Sequence, residues 1–175
     1  MNKFLLGIVI LILSISFPGC YYDPPELPKT YNFLNEKIIA ASFDNAWDDA
    51  LEWIASHNAP IKNLDKTSGF VATEYNIGAN HLIGCFDCGE PKPQLFIKEK
   101  YESPSVNISV FIRKIDDKTV RIKILCFYQT LSRKFDYADN YIDTEKIECQ
   151  STGDIEREFL TYMINKQIHV SQKEQ

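Results

Sequence analysis

Apolar residues recur at the spacing of an α-helix in two parts of the chain. In the first, intervals of three and four residues bring six apolar side chains to one face, namely Phe43, Ala46, Trp47, Ala50, Leu51 and Ile54. Ser42 or Asp44 is the expected N-cap, and Pro60 follows the last turn. We expect Trp47 to anchor the core and Trp53, at the flank of the apolar stripe, to be partly exposed.

The second helical pattern follows a capping sequence, in which Asp154 stands three positions after Ser151. Apolar residues then recur on one face, namely Ile155, Phe159, Tyr162 and Met163. The pattern does not continue past His169, so residues 170–175 are expected to form a frayed tail.

Between the two helices, apolar and polar residues alternate, which is the period of a β-strand. The strongest strands are predicted at 105–115 and 119–130, with a three-residue turn between them. If Ile115 pairs with Thr119, both apolar rows lie on one face of the sheet. Shorter strands are expected at 37–42, 61–64, 70–75, 95–101 and 147–150, whereas 76–93 is expected to be a loop and 131–146 an irregular connection.

The other face of this predicted hairpin is mixed in character. Three cations fall near the turn, and three apolar residues accompany them: Arg113, Arg121 and Lys123 with Phe111, Leu125 and Phe127. We expect such a face to be partly covered or to be a contact surface.

The order of elements is strand, helix, several antiparallel strands and helix. One layer of helices on one sheet buries all of these apolar faces. We therefore predict an α+β fold, in which a single antiparallel sheet carries an N-terminal and a C-terminal helix packed on one face.

The first 20 residues show neither the helical spacing nor the strand alternation of apolar residues. After Lys3 comes an uncharged apolar run at 4–17, followed by Pro18, Gly19 and Cys20. The run has the length of a secretory signal and is shorter than the roughly 20 residues of a transmembrane helix. We predict that residues 1–19 are a signal peptide that is cleaved before Cys20, with an uncleaved anchor helix as the disfavoured alternative.

The junction of Gly19 and Cys20 resembles the lipobox of bacterial lipoproteins, in which a small residue precedes the lipidated cysteine. The resemblance implies that Cys20 carries diacylglycerol on its sulfur and an acyl chain on its new amino group. Phe17 and Pro18 depart from the family pattern, and a plain secreted protein is the alternative. Because Tyr21 stands where an Asp resembles an inner-membrane retention signal, the resemblance implies an outer-membrane protein that faces the periplasm.

Charge and composition narrow the expected partners. Of the 19 Lys and Arg residues one, Lys3, lies in the predicted signal, so the mature chain carries 18 basic and 24 acidic residues, a net charge of −6. Such a chain lacks the basic surface that nucleic acid requires, so we expect no nucleic-acid partner.

Residues 20–35 are rich in proline and predict a tether, followed by a single globular domain at 36–169. Tyr31 and Phe33 in the tether are expected to cover the domain surface, with partner or membrane binding as the alternative.

The four cysteines that remain after lipidation allow three pairings into two disulfides. Exported proteins commonly oxidise their cysteines, so a structural disulfide is expected. We favour Cys88 with Cys149, which joins the long loop to the start of the last helix, over Cys85 with Cys88. Cys126, on the core-facing row of a strand, is expected to be a buried thiol. The alternatives are a redox dithiol of Cys85 and Cys88 and a metal site of these cysteines with His81 and Cys149.

The sequence contains no motif of a known catalytic site. G-x-S-x-G, H-E-x-x-H and a phosphate-binding loop are all absent from it. His57 is expected at a helix end, where an imidazole complements the helix dipole, and His81 and His169 in a loop and a tail. We expect no enzymatic activity, and no catalytic residue, cofactor or bound metal.

Part of the chain is similar to a known module. The runs 43–47, 58–61 and 65–74 resemble the helix-grip modules in the C lipoprotein subunit of the outer-membrane barrel-assembly complex, in which a Trp-bearing helix leads to a strand, a polar turn with Gly and a second strand. The resemblance implies a helix-grip-like fold without catalytic residues. Our hypothesis is a non-enzymatic interaction or scaffolding module with an envelope protein as its partner. The alternatives are a module that binds a small ligand between the last helix and the sheet, and a thiol oxidoreductase that uses Cys85 and Cys88.

Overall fold

A computed structural model describes residues 26–77, 82, 84–91 and 96–173 of the protein. The predicted signal peptide and Cys20 therefore lie outside the described residues. In chain order the elements are β1 (Glu36–Ile39), α1 (Phe43–Ser56), β2 (Ile61–Asp65), β3 (Phe70–Thr73), β4 (Asn76–Ile77), β5 (Phe86–Asp87), β6 (Lys98–Asp116), β7 (Thr119–Phe135), β8 (Tyr141–Ser151) and α2 (Asp154–Lys173). Neither of these two helices is long and apolar enough to cross a membrane.

The strands form one antiparallel sheet in the order β2-β3-β6-β7-β8-β5, and β4 also pairs with β6. Both helices pack on the same face of this sheet, against β1, β6 and β7. The α+β fold predicted from the sequence, with a helix from each end of the domain on one face, is therefore confirmed. Strand β1 and strand β8 share one edge of β7, where β1 pairs with the turn end and β8 with the far end.

The hairpin of β6 and β7 has the register that the alternation predicted. Val110 lies opposite Ile124 and Ile112 opposite Ile122, so the two apolar rows share a face and are fully buried under the helices. At the turn the prediction was wrong by one residue, because Asp116 rather than residue 115 pairs with Thr119. The register shifts there, and the loop shortens to two residues, the length favoured for a twisted hairpin.

The far half of β6, β7 and β8 was predicted only in part, since the strands expected at 95–101 and 147–150 fall largely within β6 and β8. The expected strands at 95–101 and 105–115 are one strand with an irregularity between Glu102 and Ser105. The segment 131–146 is not an irregular connection but continues β7 to Phe135 and begins β8 at Tyr141. We call this part the arm: residues 98–102, 131–135 and 141–146 with the turn between the last two. Its strands are joined by polar pairs, such as Lys134 with Glu145 at 3.3 Å, and therefore show no apolar alternation.

The two helices contact each other through an aromatic pair. Trp53 is 2% exposed and meets the ring of Phe159 edge-on, with 5.0 Å between the ring centroids. The prediction of a partly exposed Trp53 was wrong because α2 covers the flank of α1. Trp47 is buried in the core as predicted. Ser42 is the N-cap of α1, and its Oγ accepts the backbone N–H of Asn45 at 3.2 Å.

Residues 26–35 of the expected tether lie along the domain. The backbone N–H of Lys29 and the hydroxyl of Tyr31 both donate to the Asp87 carboxylate, at 3.0 and 2.9 Å. The ring of Phe33 occupies the space that a side chain at Gly153 would need. Tyr31 and Phe33 thus cover the domain surface, and this part of the chain is attached to the loop that contains Cys88.

Candidate functional site

The face of the sheet opposite the helices carries apolar side chains that reach solvent. Phe127 is 50% exposed, and Phe111 and Leu125 are half-buried beside it. The ring of Phe111 packs on that of Phe70, with 4.9 Å between the centroids. We call this surface the outer face. Since both described helices pack on the other side of the sheet, the outer face is available to a partner.

Three cations gather on the outer face near the turn of the hairpin. Arg113 lies directly opposite Arg121, and Lys123 lies opposite Phe111. Like charges on directly opposed residues destabilise a sheet. The arrangement therefore lowers the stability of the fold, as binding surfaces often do.

The cations border a shallow cavity of about 350 Å³. Its lining consists of Glu36, Phe111, Arg113, Arg121, Lys123 and Leu125. Glu36 is the one acid among them, and its Oε1 lies 3.4 Å from the Nε of Arg121. The site therefore keeps a positive charge in a chain whose net charge is −5. Arginine binds carboxylates in a bidentate manner, and the neighbouring Phe111 and Leu125 suit an apolar side chain.

Cys88 and Cys149 are joined by a disulfide. The ladder of β5 and β8 explains this pairing, because Phe86 lies opposite Ser151 and Asp87 opposite Gln150, which brings the next residue, Cys88, opposite Cys149. This is the pairing that the sequence favoured. Since it uses Cys88, the structure does not bring Cys85 and Cys88 together as a dithiol.

Cys85 and Cys126 are thiols, as expected for Cys126. Burial raises the pKa of both thiols, and for Cys126 the rise is large. A raised pKa disfavours the reactive thiolate. His81 lies outside the described residues, and within the described part of the chain no group of three or more His, Cys, Asp or Glu residues is arranged to hold a metal ion.

The structure contains a buried carboxylate, Glu156, that was not predicted from the sequence. It lies in the first turn of α2, is 2% exposed, and both of its oxygens accept the Ser151 hydroxyl at 2.9 Å. The backbone and thiol of Cys126 also hydrogen-bond to it. Cys126 lies between the parts of β7 that pair with β1 and with β8, so Glu156 occupies a gap in the strand pairing.

An acid in the first turn of a helix is ordinarily an exposed partner of the helix dipole, so the sequence offers no signal for this role. Burial raises the pKa of Glu156 above its ordinary value of 4.5, although hydrogen bonds from Ser151 and Cys126 act in the other direction. A cavity of about 530 Å³ opens beside it and is also lined by Phe33 and Phe127. Its size is typical of small-ligand sites.

His57 connects the two helices. Its Nε2 lies 2.9 Å from Glu158 Oε1 and its Nδ1 lies 2.8 Å from the Trp53 carbonyl oxygen. Both ring nitrogens therefore make polar contacts. His57 lies at the C-terminal end of α1, as predicted from the sequence. The side chain of His169 lies outside the described part of the structure.

No known protein family matches the chain in a scan of family patterns, and no match is found among curated proteins. The likeness of Cys20 to a lipobox and of 43–74 to a helix-grip module therefore depends on the residues quoted above, and both stay predictions.

We expect Glu156→Gln to weaken the pH dependence of stability. A raised pKa means that the folded protein binds the proton more tightly than the unfolded chain, so this carboxyl makes the free energy of unfolding fall as the pH rises from 4.5 through the raised pKa. Relative to wild type, the variant should therefore gain stability as the pH rises above about 4.5, as measured by urea unfolding. Glu148→Gln, at an exposed acid, is the matched control. A constant difference between Glu156→Gln and wild type across this range would contradict the assignment.

Proposed function

We propose that this protein is a lipoprotein of the bacterial cell envelope whose domain is a non-enzymatic interaction module. Cys20 is its lipidated residue, the outer membrane is its location, and the domain faces the periplasm. The observation that carries the interaction function is the outer face, on which Arg113, Arg121 and Lys123 gather beside the half-buried apolar residues Phe111 and Leu125.

The chemistry of the outer face favours a protein partner with an acidic segment. Two arginines held opposite each other repel in the free protein, and carboxylates from a partner relieve this repulsion. The half-buried Phe111 and Leu125 and the exposed Phe127 supply the apolar contacts that dominate the centre of an interface. A partner that combines an acidic residue with an aromatic or aliphatic one therefore fits this surface.

A covalent lipid on Cys20 would attach this acidic protein to the membrane. Two or more acyl chains hold a protein on a bilayer stably, whereas one chain is marginal. A net charge of −5 for the whole chain opposes adsorption to anionic lipid, so a covalent lipid is a suitable means of attachment.

Binding of a small ligand in the cavity beside Glu156 is the second candidate function, and the size of that cavity favours it.

Intact-mass spectrometry of the protein extracted from membranes tests the anchor. We expect the mass of residues 20–175 plus diacylglycerol and an acyl chain, and we expect Cys20→Ala to keep residues 1–19 and to lack the lipid. Cys126→Ala is the matched control and should keep the lipid, because it alters a thiol of the domain. An unmodified mature N-terminus would contradict the anchor. Native spectra of the same sample report on the second candidate, since a bound small molecule adds a mass that denaturation removes.

The double variant Arg113→Glu and Lys123→Glu tests the outer face. Crosslinking of the partner in intact cells should fall by about tenfold or more, since loss of charged contacts inside an interface costs about 2 kcal/mol or more. Urea unfolding of the variant controls for stability, because Arg113→Glu gains Arg121 as a directly opposed partner whereas Lys123→Glu lies opposite Glu36. Lys62→Glu with Lys146→Glu makes the same charge change at exposed positions away from the turn of the hairpin. Equal crosslinking by both double variants would reject the outer face as the binding site.

A further inference from the structure

The end of the arm carries exposed apolar residues that no described element covers. Phe96 is 64% exposed, Tyr137 62%, Tyr141 61% and Ile142 49%. The rings of Phe96 and Tyr137 meet edge-on, with 5.6 Å between their centroids. We call these four residues the arm tip. Side chains of this kind, with an apolar body and in Tyr a polar end, are typical of the interfacial region of a lipid bilayer.

The charges around the arm tip cancel. Residues 96–100 and 133–146 contain five basic and five acidic residues. Several form ion pairs, such as Lys98 with Asp139 at 2.8 Å and Lys134 with Glu145 at 3.3 Å. The arm tip is thus neutral in a chain that is otherwise acidic, so it can approach an anionic membrane surface without the repulsion that the rest of the domain meets.

The N-terminal end of the described chain is attached to the domain near the disulfide. Glu26 forms an antiparallel bridge with Glu90, and the backbone N–H of Glu90 donates to the Glu26 carbonyl at 3.3 Å. Gly89 permits this close approach, because a side chain there would collide with the Glu26 carbonyl. Strand β5, which leads to Cys88 and Glu90, runs antiparallel to β8 and therefore points toward the end of β8 at which the arm tip lies.

Distances along the sheet show which end of the domain the anchor can reach. The stretch from Cys20 to Glu26 spans at most about 20 Å when fully extended. Cys149, which Cys88 faces, lies about 27 Å from Tyr141 at the arm tip at the usual rise of a strand, and Glu90 follows Cys88 by two residues toward that end. The turn of the β6–β7 hairpin lies about 30 Å from Cys149 in the opposite direction. A lipid on Cys20 therefore comes nearer to the level of the arm tip than to that of the turn.

We propose that the arm tip rests in the interface of the membrane in which Cys20 is anchored. This inference rests on the proposed function, since it takes the lipidation of Cys20 as given. The domain is then held at two points and stands with the turn of the β6–β7 hairpin away from the membrane. The outer face, whose cations lie near that turn, is thereby presented to a partner in the periplasm.

Tryptophan quenching by brominated lipid tests this orientation. The lipidated protein carrying Tyr137→Trp is reconstituted into vesicles of phosphatidylcholine that is brominated on its acyl chains. The matched control is Ile115→Trp, at a residue that is 49% exposed at the other end of the hairpin. The native Trp47 and Trp53 are buried in the core and contribute the same background to both variants. We expect the bromine-induced loss of fluorescence to be several-fold larger for Tyr137→Trp than for Ile115→Trp.

The outcomes separate this inference from the proposed function. If the protein floats with the vesicles but both variants are quenched equally, or neither is, the orientation is wrong and the anchor stands. If the unlabelled wild-type protein does not float, the anchor itself is wrong, and the orientation falls with it. If Tyr137→Trp unfolds at a lower urea concentration than the wild-type protein, Tyr141→Trp takes its place. The quenching of Tyr141→Trp is then compared with that of Ile115→Trp, and equal quenching rejects the orientation.

Discussion

The register between β6 and β7 decides which face of the sheet each of their side chains occupies. A slip of one residue would turn each side chain to the other face of the sheet. In the observed register Val110, Ile112, Ile122 and Ile124 all point to one side and are fully buried. Both helices must then pack on that side. The cations and aromatic rings of the outer face are left on the other side as a direct consequence.

The edge of β7 shows how the domain and its N-terminal segment are connected. Strand β1 pairs with one part of this edge and β8 with another, and Glu156 hydrogen-bonds to Cys126 between them. The disulfide from Cys149 then holds the loop to which residues 26–31 attach through Asp87. A pull on the N-terminal segment is therefore transmitted to the middle of the sheet, which suits a domain that is held by its N-terminus.

Local patterns predicted the parts of the fold that bury apolar residues. Helix α1 and the hairpin register follow from apolar spacing, and the outer face follows from the same alternation. The parts of the arm in β7 and β8 were missed because these strands are stabilised by polar pairs, so that 131–146 shows no apolar period. The exposure of Trp53 was misjudged because the helix that covers it comes about 100 residues later in the chain. The burial of Glu156 could not be predicted from the sequence, because its partners Ser151 and Cys126 come close to it only in the folded protein.

Photo-crosslinking in intact cells can show whether the outer face binds a protein partner. A photoreactive phenylalanine analogue takes the place of Phe127, and in a second protein that of Ile61, which is 43% exposed on β2. The account predicts that position 127 crosslinks to one envelope protein within an acidic segment, mapped by mass spectrometry, and that position 61 does not. Crosslinks that are absent at position 127, or the same at both positions, would contradict it.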